Sequence, residues 1–269
     1  METIHFYQEL DRLFSEPGAD VIGYLQNQLH LAQLEGNTAM VIAAANELGS
    51  LFRVRGEFTE AEHLYKKTLL LLEREDADAL VYARVLINLG DVYVAWGKYK
   101  RAIQVFDKAE KLMGDEQDNS FELSALCNNR SSAYRGLRQF TQAKQELKRA
   151  AQLLENVPSS EDKRAVNAIN LAQSLVDEGC LVEAGKVLAP ALIAFETLHH
   201  GRDIHRPYAL AVAGQIAYLQ GRYRHARACY QWAAQLTREK LGVSPTVEAL
   251  MREAQRMEKL ERTYRWQEL

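Results

Sequence analysis

One spaced pattern recurs along this chain and leaves little freedom in how it folds. Between Asn88 and Ala109 it reads Gly90, Tyr93, Gly97, Tyr99, Ala102, Phe106 and Ala109. Leu89, Gly90 and Tyr93 share one helical face, and Ala102, Phe106 and Ala109 share another at i, i+4, i+7. Gly97 interrupts the helical period where the chain must reverse. The unit is therefore a helix, a tight turn and a second helix. Gly90 and Ala102 should let the two helix backbones approach closely, with Tyr93, Tyr99 and Phe106 filling the space around that contact.

Copies follow on both sides. The first runs Gly49, Phe52, Gly56, Phe58, Ala61, Tyr65, Thr68, and the third Ser131, Tyr134, Arg138, Phe140, Ala143, Leu147, Ala150. The fourth is Ala172, Leu175, Gly179, Leu181, Ala184, Leu188, Ala191, and the fifth Gly214, Ala217, Gly221, Tyr223, Ala226, Tyr230, Ala233. The step from Gly49 to Gly90, to Ser131 and to Ala172 is about 41 residues each time, and about 42 to Gly214. This spacing resembles the tetratricopeptide repeat (TPR), in a form longer than the usual repeat of about 34 residues. Long repeats of this kind are similar to those of kinesin light chain and of bacterial peptide-pheromone receptors. The resemblance covers roughly Thr38 to Lys240 and implies an all-α fold, a right-handed superhelix of TPR hairpins.

Three segments are expected. Residues 1–36 read as a degenerate N-terminal hairpin with apolar Phe6, Leu10, Leu13 and Phe14 before a break at Pro17-Gly18, then Val21, Tyr24, Leu25, Leu29 and Ala32. Residues 37–243 hold five repeats. Residues 244–269 read as a capping helix that begins at Ser244-Pro245, with Val247, Leu250, Met251, Ala254, Met257 and Tyr264 on one side. All three belong to one continuous solenoid, whose terminal repeats are atypical because their outer face meets water. Pro190, inside the second helix of the fourth copy, should bend that helix.

Composition excludes several functions. Hydrophobic residues make up 47% and charged residues 26%, values of a soluble globular chain rather than a disordered or membrane one. No apolar run is long enough to span a bilayer, and Met1-Glu2-Thr3-Ile4-His5 lacks the pattern of a secretory signal. A formal charge of -3 gives no reason to expect nucleic acid. Cys127, Cys180 and Cys229 form no Cys-x-x-Cys pair and fit reduced thiols, so a cytoplasmic address is expected. No phosphate loop, nucleophile elbow or His-Glu-x-x-His occurs, so neither catalytic residues nor a cofactor are expected. His199, His200, Asp203 and His205 are the one group that could suggest a metal, and they read as a solvated linker.

The resemblance also implies a binding face. In the TPR fold the first helix of each hairpin lines a concave groove, and the slot two residues before the small Gly, Ser or Ala faces it. That slot holds Asn88, Asn129 and Asn170 in three successive copies. A carboxamide both donates and accepts, so a row of them can pair with the backbone of an extended peptide whatever its side chains. The same residues would equally serve as a ladder ordering the stack. By phase Arg84, Asp91, Asn128, Ser132, Arg135, Gln173, Asp177, Tyr208 and Gln215 join them, a mixed polar set without a single sign of charge. The expectation is a noncatalytic scaffold that binds a protein segment or peptide. A peptide-sensing receptor without its own DNA-binding domain and a structural homo-oligomer are the alternatives.

Overall fold

The computed structural model describes residues 2–16, 18–114, 119–197 and 205–265, and of Glu2, Lys240, Leu241, Tyr264 and Arg265 the backbone alone. Among them there are thirteen helices and no strand. They are α1 (Glu2–Ser15), α2 (Val21–Glu35), α3 (Thr38–Arg55), α4 (Phe58–Arg74), α5 (Ala79–Ala95), α6 (Tyr99–Met113), α7 (Ser120–Gly136), α8 (Phe140–Leu153), α9 (Glu161–Asp177), α10 (Leu181–Thr197), α11 (Arg206–Leu219), α12 (Tyr223–Leu241) and α13 (Pro245–Arg265). The expected all-α class is thus what the chain adopts. It divides into two compact units, Met1–Leu137 and Arg138–Leu269. Pro17 of the expected N-terminal break lies outside the described residues.

Local chemistry sets the helix ends. Asp78 accepts from the backbone amides of Leu80 and Val81, and Asn37 from that of Met40, so both cap donors that a first turn leaves unpaired. Ser244 does the same for Val247 ahead of α13. At the turn between α5 and α6, Gly97 takes φ 76° while its amide bonds to Val94 O and that of Lys98 to Tyr93 O at 2.8 Å. In the third copy Arg138 occupies this place with φ 61°, where a side chain crowds the following carbonyl. Arg138→Gly should therefore raise stability by up to about 1 kcal/mol and Gly97→Ala lower it by about 1 kcal/mol, both measurable by urea unfolding.

In the N-terminal unit the core runs from Phe6 and Leu10 of α1 through Leu25 and Ala32 of α2 to Val41, Ala44 and Leu48 of α3. Further along, Phe106 and Ala102 of α6 are fully buried against α5. The close approach expected at Gly90 is made by a ring rather than by a second backbone. A Cβ on Gly90 would lie 2.3 Å from Phe106 Cε1, so the missing side chain is the space the phenyl ring fills. Asp107 meets the buried guanidinium of Arg130 from α7 at 3.0 Å, with Glu110 beside it.

In the C-terminal unit Ile169, Ala172, Ala184, Leu188 and Phe195 form one core of α9 and α10 that extends to Ala209 and Val212 of α11. α10 continues through Pro190, which lies on its exposed side, where the carbonyl left without a partner can meet water. α13 packs on α12 and buries Ala254 and Met257 against Ala217, Ala226 and Tyr230. The side chain of Tyr264, expected on that same face, lies outside the described residues.

Candidate functional site

Within the N-terminal unit α3 packs on α5 and α5 on α7, whereas the second helices α4 and α6 have little contact with each other. The first helices are therefore the tighter layer, and the face they present is the inner one. In the C-terminal unit α9 and α11 are related in the same way.

On α5 that face carries Arg84, Asn88 and Asp91, spaced i, i+4, i+7. Asn88 donates its Nδ2 to Asn46 Oδ1 of α3 at 2.8 Å, which links successive repeats through their amides. Its own carbonyl oxygen has no partner among the described residues. Tyr65 of α4 donates its hydroxyl to the backbone carbonyl of Asn46 at 3.2 Å and so fixes this point of α3 from behind. Arg84 is paired with Glu122 of α7. Asn129 and Ser132 are half-buried on α7, and the Asn129 amide has no partner among the described residues. Asn128 sits one residue away and is buried, donating to the Ser124 carbonyl of its own helix at 3.0 Å, so it is closed to a ligand. Arg135 is half-buried.

Two carboxylates on this side, Asp91 and Glu47, are shifted upward by burial. Asp91 is half-buried, and burial pushes its pKa up to about 7, with Arg53 of α3 offsetting only part of the shift. Glu47, one residue from Asn46, is raised by burial and then by Asp11 of α1. Neither Asp91 nor Arg53 forms an ion pair or a side-chain hydrogen bond among the described residues. Arg53, Glu47 and Asn46 escaped the sequence reading. Arg53 fills the slot of Arg135 and Glu47 the slot of Asn88, so both could have been found by phase; Asn46, one position out of phase, could not.

In the C-terminal unit Asn170 and Gln173 are buried, each 8% exposed. Gln173 bonds through its amide nitrogen to Asp177 at 3.2 Å and to Gln215 of α11 at 2.9 Å. This is again a ladder between neighbouring repeats. The slot of Asn170 holds Val212 on α11, and the face there presents Tyr208 and Leu219, 41% and 47% exposed. His199, His200 and Asp203 lie outside the described residues, while His205 stacks on Phe195. Among the described residues no group of His, Cys, Asp and Glu could hold a metal, and no helix is long and apolar enough to cross a membrane. A cleft of about 620 Å³ opens away from the amide face, between α2 and α4 over α3, with Leu29, Leu48, Phe52 and Leu64 in its walls.

Helical hairpins whose first helices pack on one another within each unit define an α-solenoid. Residues 40–114 and 124–154 match the tetratricopeptide repeat family. Over these stretches the chain carries tetratricopeptide repeats, and its fold resembles that of kinesin light chain repeats; repeats of this family are protein-interaction modules. Among solved structures, BtubC (BKLC) from P. vanneervenii is 20% identical with a TM-score of 0.61, covering 88% of this chain and 94% of that one. Kinesin light chain TPR-like repeats from Podosopora anserina are 14% identical with a TM-score of 0.53, covering 74% and 95%. Among curated proteins, tetratricopeptide repeat protein 19, mitochondrial, of Rattus norvegicus is 23% identical over 84% of this chain and 67% of its own length. Protein O-mannosyl-transferase TMTC1 of Homo sapiens is 25% identical over 70% of this chain, which spans only 22% of that protein.

Proposed function

We propose that the chain is a noncatalytic scaffold that holds an extended protein segment on the inner, first-helix face of its N-terminal unit. The observation that carries this reading is Asn129, a half-buried amide with no partner among the described residues. It lies one repeat from Asn88, whose carbonyl oxygen is equally unused. One amide ready to donate and accept, and a second ready to accept, suit the N–H and C=O groups of a peptide backbone. Helix packing fixes both before a ligand arrives, so little receptor ordering opposes binding. Cys127 and Cys229, both buried, and Cys180, exposed, form no disulfide with one another, which supports a cytoplasmic address.

Stability and binding separate the two roles of the amides. Asn129→Ala should leave stability within about 0.5 kcal/mol, because no bond inside the fold is lost, whereas Asn88→Ala should cost about 1 kcal/mol through Asn46. Affinity pull-down from native lysate with the Asn88→Ala, Asn129→Ala double variant should lose the partners that the wild type retains. If a stably folded double variant keeps the same partners, the amide face is not where they bind.

A further inference from the structure

We propose that the inner face of the N-terminal unit selects a segment carrying a lysine or arginine, and that Asp91 is the residue that takes this cation. The inference rests on the peptide-binding reading above and adds the chemistry of the segment to it.

Asp91 stands three residues after Asn88 on the same face of α5, half-buried, without an ion pair or hydrogen bond among the described residues. The groups around it do not supply what it lacks. From α3 come Arg53, whose field reaches the carboxyl without forming an ion pair, and Glu47, which adds negative charge near Asn46. From α4 comes Tyr65, whose hydroxyl proton is already donated to the Asn46 carbonyl and is not available to Asp91. Asp11 of α1 lies within reach of Glu47 and has the same sign. Arg53 is thus the one charge whose field reaches the Asp91 carboxyl among the described residues, and it forms no ion pair with it. Folded chains ordinarily pair a half-buried carboxylate, and strongly perturbed groups gather at functional sites. A cationic side chain from a partner completes the set. The Asn46–Asn88 amide pair beside it would hold the partner's backbone and set the register that brings its ammonium or guanidinium to Asp91.

The test uses a random dodecapeptide library displayed on phage and selected on the full chain at pH 8, with wild type, Asp91→Asn and Asp91→Glu. Wild type should enrich lysine or arginine at one fixed position of the selected peptides, Asp91→Asn should not, and Asp91→Glu should restore the preference. A synthetic selected peptide should bind wild type about tenfold more tightly than its Lys→Ala analogue, and Asp91→Asn with less than a twofold difference. Thermal melts show that each variant is folded. Peptides that depend on Asn88 and Asn129 but show no positional cation, or a Lys→Ala loss that is the same on Asp91→Asn, would overturn the inference and leave the peptide-binding reading standing. If no peptide is selected at all, both fall.

Discussion

Phe106→Ala should lower the unfolding free energy by about 3–5 kcal/mol, the range for truncating a fully buried phenyl ring. Phe106 is 0% exposed, and its ring occupies the volume that a Cβ on Gly90 would need. Gly90→Ala places a methyl 2.3 Å from Phe106 Cε1, and neither backbone nor ring can yield without disturbing α5 or α6. Overpacking of this kind costs about 1–3 kcal/mol, reduced slightly by the better helix propensity of alanine. The two changes should not add. In the Gly90→Ala, Phe106→Ala double variant the new methyl enters the cavity left by the ring, so the double should be more stable than the sum of the single losses implies. Urea unfolding of the four proteins measures the coupling. Strict additivity would mean that the glycine is not there to admit the ring.

Asp91→Asn should stabilise the protein, with a size that depends on pH. The folded carboxyl titrates near 7, against an ordinary value of 3.8. Below about pH 4 both folded and unfolded chains hold the proton, and the residue costs nothing. As pH rises from about 4 to 7 the unfolded chain releases its proton first, so wild-type stability falls. Above pH 7 the full penalty is present. A shift of this size corresponds to at most about 4 kcal/mol, and partial solvent access lowers the expected gain to about 1–3 kcal/mol at pH 8. The gap between variant and wild type should therefore open between pH 4 and 7 and stay constant beyond. A gap independent of pH would show that Asp91 does not carry this burden. A residue that costs stability on the proposed binding face fits a site shaped by a ligand rather than by folding.

The repeat was legible because its slots are sterically strict. Gly90 must admit the Phe106 ring, Ala102 leaves no room for anything larger, and Gly97 must take a positive φ, so each leaves a letter that spacing can reveal. The proposed binding face is less legible, because adjacent letters point about a quarter turn apart. Asn128 and Asn129 read alike, yet one is sealed against Ser124 and the other faces outward. Pairs that join one repeat to the next leave no local trace at all. Neither the Asn46–Asn88 bond nor the Arg130 contacts with Asp107 and Glu110 follow from any spacing, since each depends on how neighbouring hairpins seat against one another. Where the amide slot recurs, its use differs. Asn88 bridges to the preceding repeat, Asn129 is unpaired among the described residues, and Asn170 is buried.

The central claim is that an extended partner lies on the first-helix face. A photo-crosslinking residue placed at position 129, and in separate proteins at Lys108 on the exposed side of α6, tests it directly. After irradiation in native lysate, mass spectrometry of the adducts should find partner peptides attached at 129 and not at 108. Adducts at 108 with none at 129 would contradict the account.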